Sequence, residues 1–127
     1  MDLKRWRTRT WTITDEDGGT ATVRHQPLSL PWRFRISEWS QEEKQRQRPE
    51  DPAESVVWAK RVTAERAAFF RDLLDDLVVD VDGLNSGGRP LTREEAVDAF
   101  SEMDGLLGQF LEHLNEGAEV SAEQGKD

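Results

Sequence analysis

The chain contains no cysteine and no tyrosine, and only two histidines among 127 residues. Without thiols, disulfides, thiolate metal sites and cysteine nucleophiles are all excluded. His25 and His113 lie in different parts of the chain with no spacing that argues for a ligand pair. His113, close to the end of an apolar-periodic segment, suits a helix C-terminus when protonated, because the helix dipole is negative there. No apolar run approaches the roughly 20 residues that span a bilayer. The opening MDLKRWRTRTW also lacks the apolar middle of a secretory signal. A cytoplasmic protein with no membrane contact is the expectation. No serine stands in a G-x-S-x-G context.

Charge is abundant and unevenly placed. Residues 1–35 carry seven Lys/Arg against four Asp/Glu, and the remainder ten against twenty-two, so a basic front of about +3 precedes an acidic back of about −12. Four of the five tryptophans (Trp6, Trp11, Trp32, Trp39) fall in the first 39 residues. Such a dipolar molecule can associate with itself, giving a homo-oligomer, or with a charged partner. Hydrophobic and charged residues are nearly balanced at 35% and 34%, so part of the chain is expected to stay outside the core.

Residues 5–14 are rich in Thr, Trp and Ile, which suit a half-buried strand. The Asp15-Glu16-Asp17-Gly18-Gly19 cluster supplies turn chemistry, and TATVRHQ resumes a strand, so a hairpin is expected. Period two would put Trp11, Ile13, Ala21 and Val23 on one face. Leu28, Leu30, Trp32, Phe34 and Ile36 then alternate with Ser29, Pro31, Arg33, Arg35 and Ser37, which predicts a third strand with one wet face. Pro31 would mark an edge, a bulge or a break between two shorter strands there. Residues 40–52 offer nothing to bury and read as a polar linker.

Asp51-Pro52-Ala53-Glu54 opens a helix over about 53–76, with Asp51 as N-cap and Val56, Ala59, Val62, Ala67, Phe69, Phe70, Leu73, Leu74 and Leu77 as its apolar face. Val78–Val81 is β-branched enough for a short strand. Thr92 and Glu95 form a capping box for a helical segment over 93–115. Asp104-Gly105 is expected to divide that segment in two, with Asp104 capping the second helix. Residues 117–127 have the composition of a disordered acidic tail. The fold class is α+β: one domain over 1–116, an N-terminal antiparallel sheet of about three strands packed against two or three C-terminal helices.

The carboxylates Asp75, Asp76, Asp80 and Asp82 invite a calcium loop. Counted from Asp80, however, Leu84, Asn85 and Leu91 occupy the positions that need an oxygen ligand, glycine and glutamate. No metal, cofactor or catalytic residue is assigned, and paired carboxylates without a cleft argue for no reaction. Arg5, Arg7 and Arg9 interleaved with Trp6 and Trp11 have the chemistry of a single-stranded nucleic-acid surface, but the acidic whole opposes that partner.

The order of Val78-Val79-Asp80-Val81-Asp82-Gly83-Leu84, then Arg89-Pro90-Leu91-Thr92, then Glu94 to Leu114, following an apolar helix, resembles the tail assembly chaperones of long-tailed phages and tail-like particles. The resemblance implies a non-enzymatic protein in the host cytoplasm that binds the tape measure protein and delivers tail tube subunits. The means would be an exposed apolar groove or strand edge that receives a partner segment. Two other functions compete with it: a permanent adaptor of such a particle (connector or baseplate component), and an acidic decoy of a nucleic-acid-binding protein. The expected contact residues are Trp32, Phe34, Ile36 and Trp39.

Overall fold

The computed structural model describes residues 8–124, with side chains through residue 116. Arg5, Trp6 and Arg7 lie outside the described residues, as do residues 125–127. Strand β1 (Arg9–Thr14) and strand β2 (Thr20–His25) form the expected antiparallel hairpin, with Trp11 opposite Val23 and Ile13 opposite Ala21. The turn is built by Asp15. Its Oδ1 accepts from the backbone N–H of Asp17 at 3.0 Å and of Gly19 at 2.7 Å. Gly18 takes the left-handed conformation (φ 83°) that closes the turn without a Cβ penalty. Trp11, Ala21 and Val23 are buried and Ile13 is partly so.

The third strand is not residues 28–37. Those residues open helix α1 (Leu30–Gln45). The alternating set also contains a helical one, because Trp32, Ile36 and Trp39 recur at i, i+4 and i+7. The local chemistry selects the helix. Ser29 is its N-cap, accepting from the Trp32 N–H at 3.3 Å, and Pro31 sits in the first turn, where its missing N–H costs nothing. Residues 40–45 are helical as well, so the polar connection is confined to 46–51.

Helix α2 (Pro52–Leu77) follows the Asp51 cap, whose Oδ2 accepts from the Glu54 N–H at 3.0 Å. At 26 residues it is about 39 Å long. Burial is confined almost entirely to its second half, where Phe70, Leu73, Leu74 and Leu77 enter the core. Val56 and Val57, at 53% and 66% exposed, do not. The apolar face expected from Val56 onward is therefore buried only from about Phe69. The first three turns carry almost none of the core.

Strand β3 (Val78–Asp82) leaves α2 directly and pairs antiparallel with β2, giving the sheet order β1-β2-β3 with a register shift between Arg24 and His25. The sheet is three-stranded as expected, with this segment in the place assigned to 28–37. Gly83 (φ 82°) lets the chain pass β2 closely, since an added Cβ would stand 2.7 Å from the Thr20 carbonyl oxygen. A small ribbon, β4 (Asn85–Ser86) with β5 (Arg89–Pro90), turns on Gly87 and Gly88, both at positive φ.

Helix α3 (Arg93–Glu102) starts at the Thr92–Glu95 capping box, and helix α4 (Asp104–Gln124) follows a break at Met103. Asp104 is the first residue of α4 rather than its cap. The helix also runs on through residues 117–124, which composition reads as tail. Ala96, Val97 and Phe100 of α3 and Leu107, Phe110 and Leu114 of α4 complete one core under the sheet. The architecture is α+β.

Candidate interaction surface

Helices α1 and α2 run antiparallel. Trp32 Nε1 donates to Asp76 Oδ2 at 2.6 Å, Trp39 stacks on Phe69 with ring centroids 5.2 Å apart, and Arg46 reaches Glu65 at 2.8 Å. Of the four expected contact residues, Trp32, Ile36 and Trp39 lie on the packed side of α1 and Phe34 does not. Trp32 is buried under the Arg35 guanidinium, which lies 4.0 Å from its ring centroid. Trp39 is half-buried between Phe69 and Phe70. Ile36 is half-buried on the same side, whereas Phe34 stands 69% exposed. Trp32 and Trp39 thus serve the packing of α1 on α2, and Phe34 is the fully presented residue of the four. Its neighbour one turn earlier, Leu30, is 71% exposed, so Leu30 and Phe34 form an apolar strip on the solvent side of α1.

Ile36 leads to a groove between α1, α2 and α4. The groove has a volume of about 350 Å³ and an apolar floor of Leu28, Ile36, Phe70, Leu111 and Leu114. Arg33, Ser37, Ser40 and Asn115 stand at its rim. An apolar floor with a few polar groups at the edge is suited to hold an aliphatic or aromatic side chain and orient what carries it. A second depression, of about 380 Å³, lies where α2 projects past the end of α1, between Pro49 of the connection and Ala53, Val57 and Trp58 of α2. Trp58, the fifth tryptophan, was not singled out from the sequence. Its signal is that Val57-Trp58 interrupts the apolar face expected from 56, 59 and 62.

Of the four carboxylates that invited a metal loop, Asp75, Asp76 and Asp80 have a nearer explanation. Asp75 binds the Arg93 guanidinium at 2.7 Å, and Arg93 also donates to the Val78 carbonyl at 3.1 Å and to the Asp75 carbonyl. The hydrogen bond and charge of Arg93 hold the Asp75 carboxyl below its usual range. Asp76 accepts from Trp32, and Asp80 pairs with Arg24 across the strands at 3.4 Å. Glu95 receives both Arg89 nitrogens, at 3.1 and 2.5 Å, and the Thr92 N–H, which bring its pKa down to about 2. Arg71 and Asp98 are joined at 2.5 Å.

Among the described residues no group of three or more His, Asp or Glu side chains is placed to hold a metal ion. Among the same described residues, no helix is long and apolar enough to cross a membrane.

The histidines meet, although nothing in their spacing marks them as neighbours. His25 Nε2 and His113 Nε2 are 3.0 Å apart. His25 Nδ1 lies 2.9 Å from the Gln26 carbonyl and must donate to it, so His25 Nε2 accepts from the His113 Nε2–H. Helix α4 continues eleven residues past His113, so the helix C-terminus does not explain that residue. The pair is enclosed by Trp11, stacked on His113, and by Phe110, edge-on to His25. Burial, opposed in part by the Gln26 hydrogen bond and assisted by His113 and Arg9, pushes the His25 pKa down.

No family model, no curated protein and no solved structure matches this chain. What the helical layer offers is an open groove with an apolar floor.

Proposed function

We propose that this protein is a non-enzymatic assembly factor that works by protein–protein contact, and that it serves as a tail assembly chaperone of a phage tail or tail-like particle in the host cytoplasm. The observation that carries the contact reading is the open groove over Ile36, Phe70, Leu111 and Leu114, beside the exposed Leu30–Phe34 strip. The choice of particle rests on the motif order from Val78 to Leu114. The occupant is an apolar segment of the tape measure protein. Its side chain fills the groove while its flanking polar groups meet Arg33, Ser37 and Asn115.

The pairing of the carboxylates counts against the phosphate-mimicking decoy. Asp75, Asp80, Glu65, Glu95 and Asp98 each have an arginine partner, so these carboxylates are not the run of unpaired negative charge that a phosphate mimic would present. The test is affinity capture from the native source at low and high salt, with mass spectrometry of what is retained. An apolar contact keeps tape measure or tube subunits at high salt. Recovery of a nucleic-acid enzyme that is lost at high salt would replace this reading with the decoy. Finding the protein itself in finished particles would replace it with the permanent adaptor.

A further inference from the structure

The two edges of the sheet differ. On β3 the outward Val78 carbonyl is covered by Arg93, whose Nε donates to it at 3.1 Å. On β1 no described residue pairs with the outer backbone of Arg9–Thr14. The direction of those groups follows from the turn. The Asp15 N–H donates to the Gly19 carbonyl at 2.9 Å, so Asp15 faces β2. Strand groups alternate, so Thr10, Thr12 and Thr14 aim their N–H and C=O away from the sheet. This edge has six residues, no proline, no lysine and no bulge, the devices that usually block pairing with another strand.

We propose that β1 pairs antiparallel with β1 of a second copy of this chain, across a two-fold axis at Thr12, making one continuous six-stranded sheet. Charge selects the occupant. The strand begins at Arg9 and leads into Asp15-Glu16-Asp17 of the turn, so reversing one copy on the other sets basic against acidic at both ends. With Thr12 on the axis, Thr10 faces the second copy's Thr14, Trp11 its Ile13, and Arg9 its Asp15. Arg9 makes no salt bridge among the described residues, and the turn engages only Oδ1 of Asp15.

The outward groups of the three threonines become the hydrogen-bonded pairs, about six bonds in all. The threonines line the wet face, and Trp11 beside Ile13 continues the helix-covered face. A slip of one residue would reverse the faces. A slip of two would set Arg9 against Ile13 or Trp11 against Asp15. The contact is isologous, so it closes at two copies.

Sedimentation of the full chain over a concentration series up to about 1 mM tests this. The expected result is a reversible rise in mass from 14.6 kDa to twice that value. Thr12→Pro removes an outward N–H without touching the β2 ladder and should abolish dimerisation. Arg9→Glu, which leaves the backbone intact, should weaken it at least tenfold. Phe34→Asp, on the α1 strip, should leave it unchanged. A mass that stays monomeric throughout, or dimers retained by both β1 variants, would overturn the proposal. A dimer lost only in Phe34→Asp would also overturn it, by moving the interface to α1. None of these outcomes bears on the identity of the tail-assembly partner.

Discussion

At the scale of single residues, two contacts between distant parts of the chain tie α1 to α2 and α4 to the sheet. Trp32 is anchored at both ends, by Asp76 at its indole nitrogen and by Arg35 over its ring. Trp32→Phe keeps most of the apolar volume and loses the hydrogen bond. It should therefore destabilise by about 1 kcal/mol in chemical denaturation. The second contact is the His25–His113 bond. His25 titrates below its unfolded value, so the unfolded chain binds the extra proton first as the pH falls through about 6.5. Stability is fully present above that pH and declines below it, down to the folded pKa, with a slope of at most about 1.4 kcal/mol per pH unit for one proton. Thermal unfolding between pH 7.5 and 5.5 should show this decline, and H25Q should flatten it. An equal slope in the variant would assign the effect to other groups. The histidine pair was not legible in the sequence, because β2 and α4 bring its members together only through packing. The Thr92–Glu95 box and the Asp51 cap were legible, because their partners lie three residues apart.

At the scale of elements, α2 is two helices in one energetically. Its second half carries Phe70, Leu73, Leu74 and Leu77 into the core, while its first half presents Val56 and Val57 to solvent. Leu74→Ala should cost about 2–5 kcal/mol. Val57→Asp should change stability by less than about 0.5 kcal/mol. Denaturant midpoints of the two variants, with unchanged m-values, check both. Removing the cap of α1 by Ser29→Ala should cost about 1 kcal/mol and lower the helical circular dichroism signal if the first turn frays. The start of α1 is also where the sequence pattern is ambiguous. The run from Leu28 to Ile36 satisfies period two, and three of its neighbourhood's apolar residues also satisfy the helical period. Alternation alone cannot separate these cases, whereas Ser29 and Pro31 at the first turn could have done so. The Val78–Asp82 strand was visible in its β-branched residues. Its place beside β2 was not, because register across more than fifty residues leaves no local mark.

At the scale of the whole molecule, the sheet has one covered and one wet face, and the helical layer carries the groove on its outer side. The contact proposed above rests on this apolar surface rather than on charge, since several carboxylates of the acidic half are already held by arginines. Ser37 stands exposed at the groove's rim, away from the core. Ser37→Phe should fill the opening while leaving the fold intact, as its thermal midpoint would report. The most direct measurement is affinity capture with wild type and S37F side by side at high salt. Wild type should retain tape measure or tube protein, and S37F should retain at least tenfold less of it. Equal retention by a folded S37F protein would contradict the groove as the contact site, and retention of neither protein by wild type would contradict the assembly role itself.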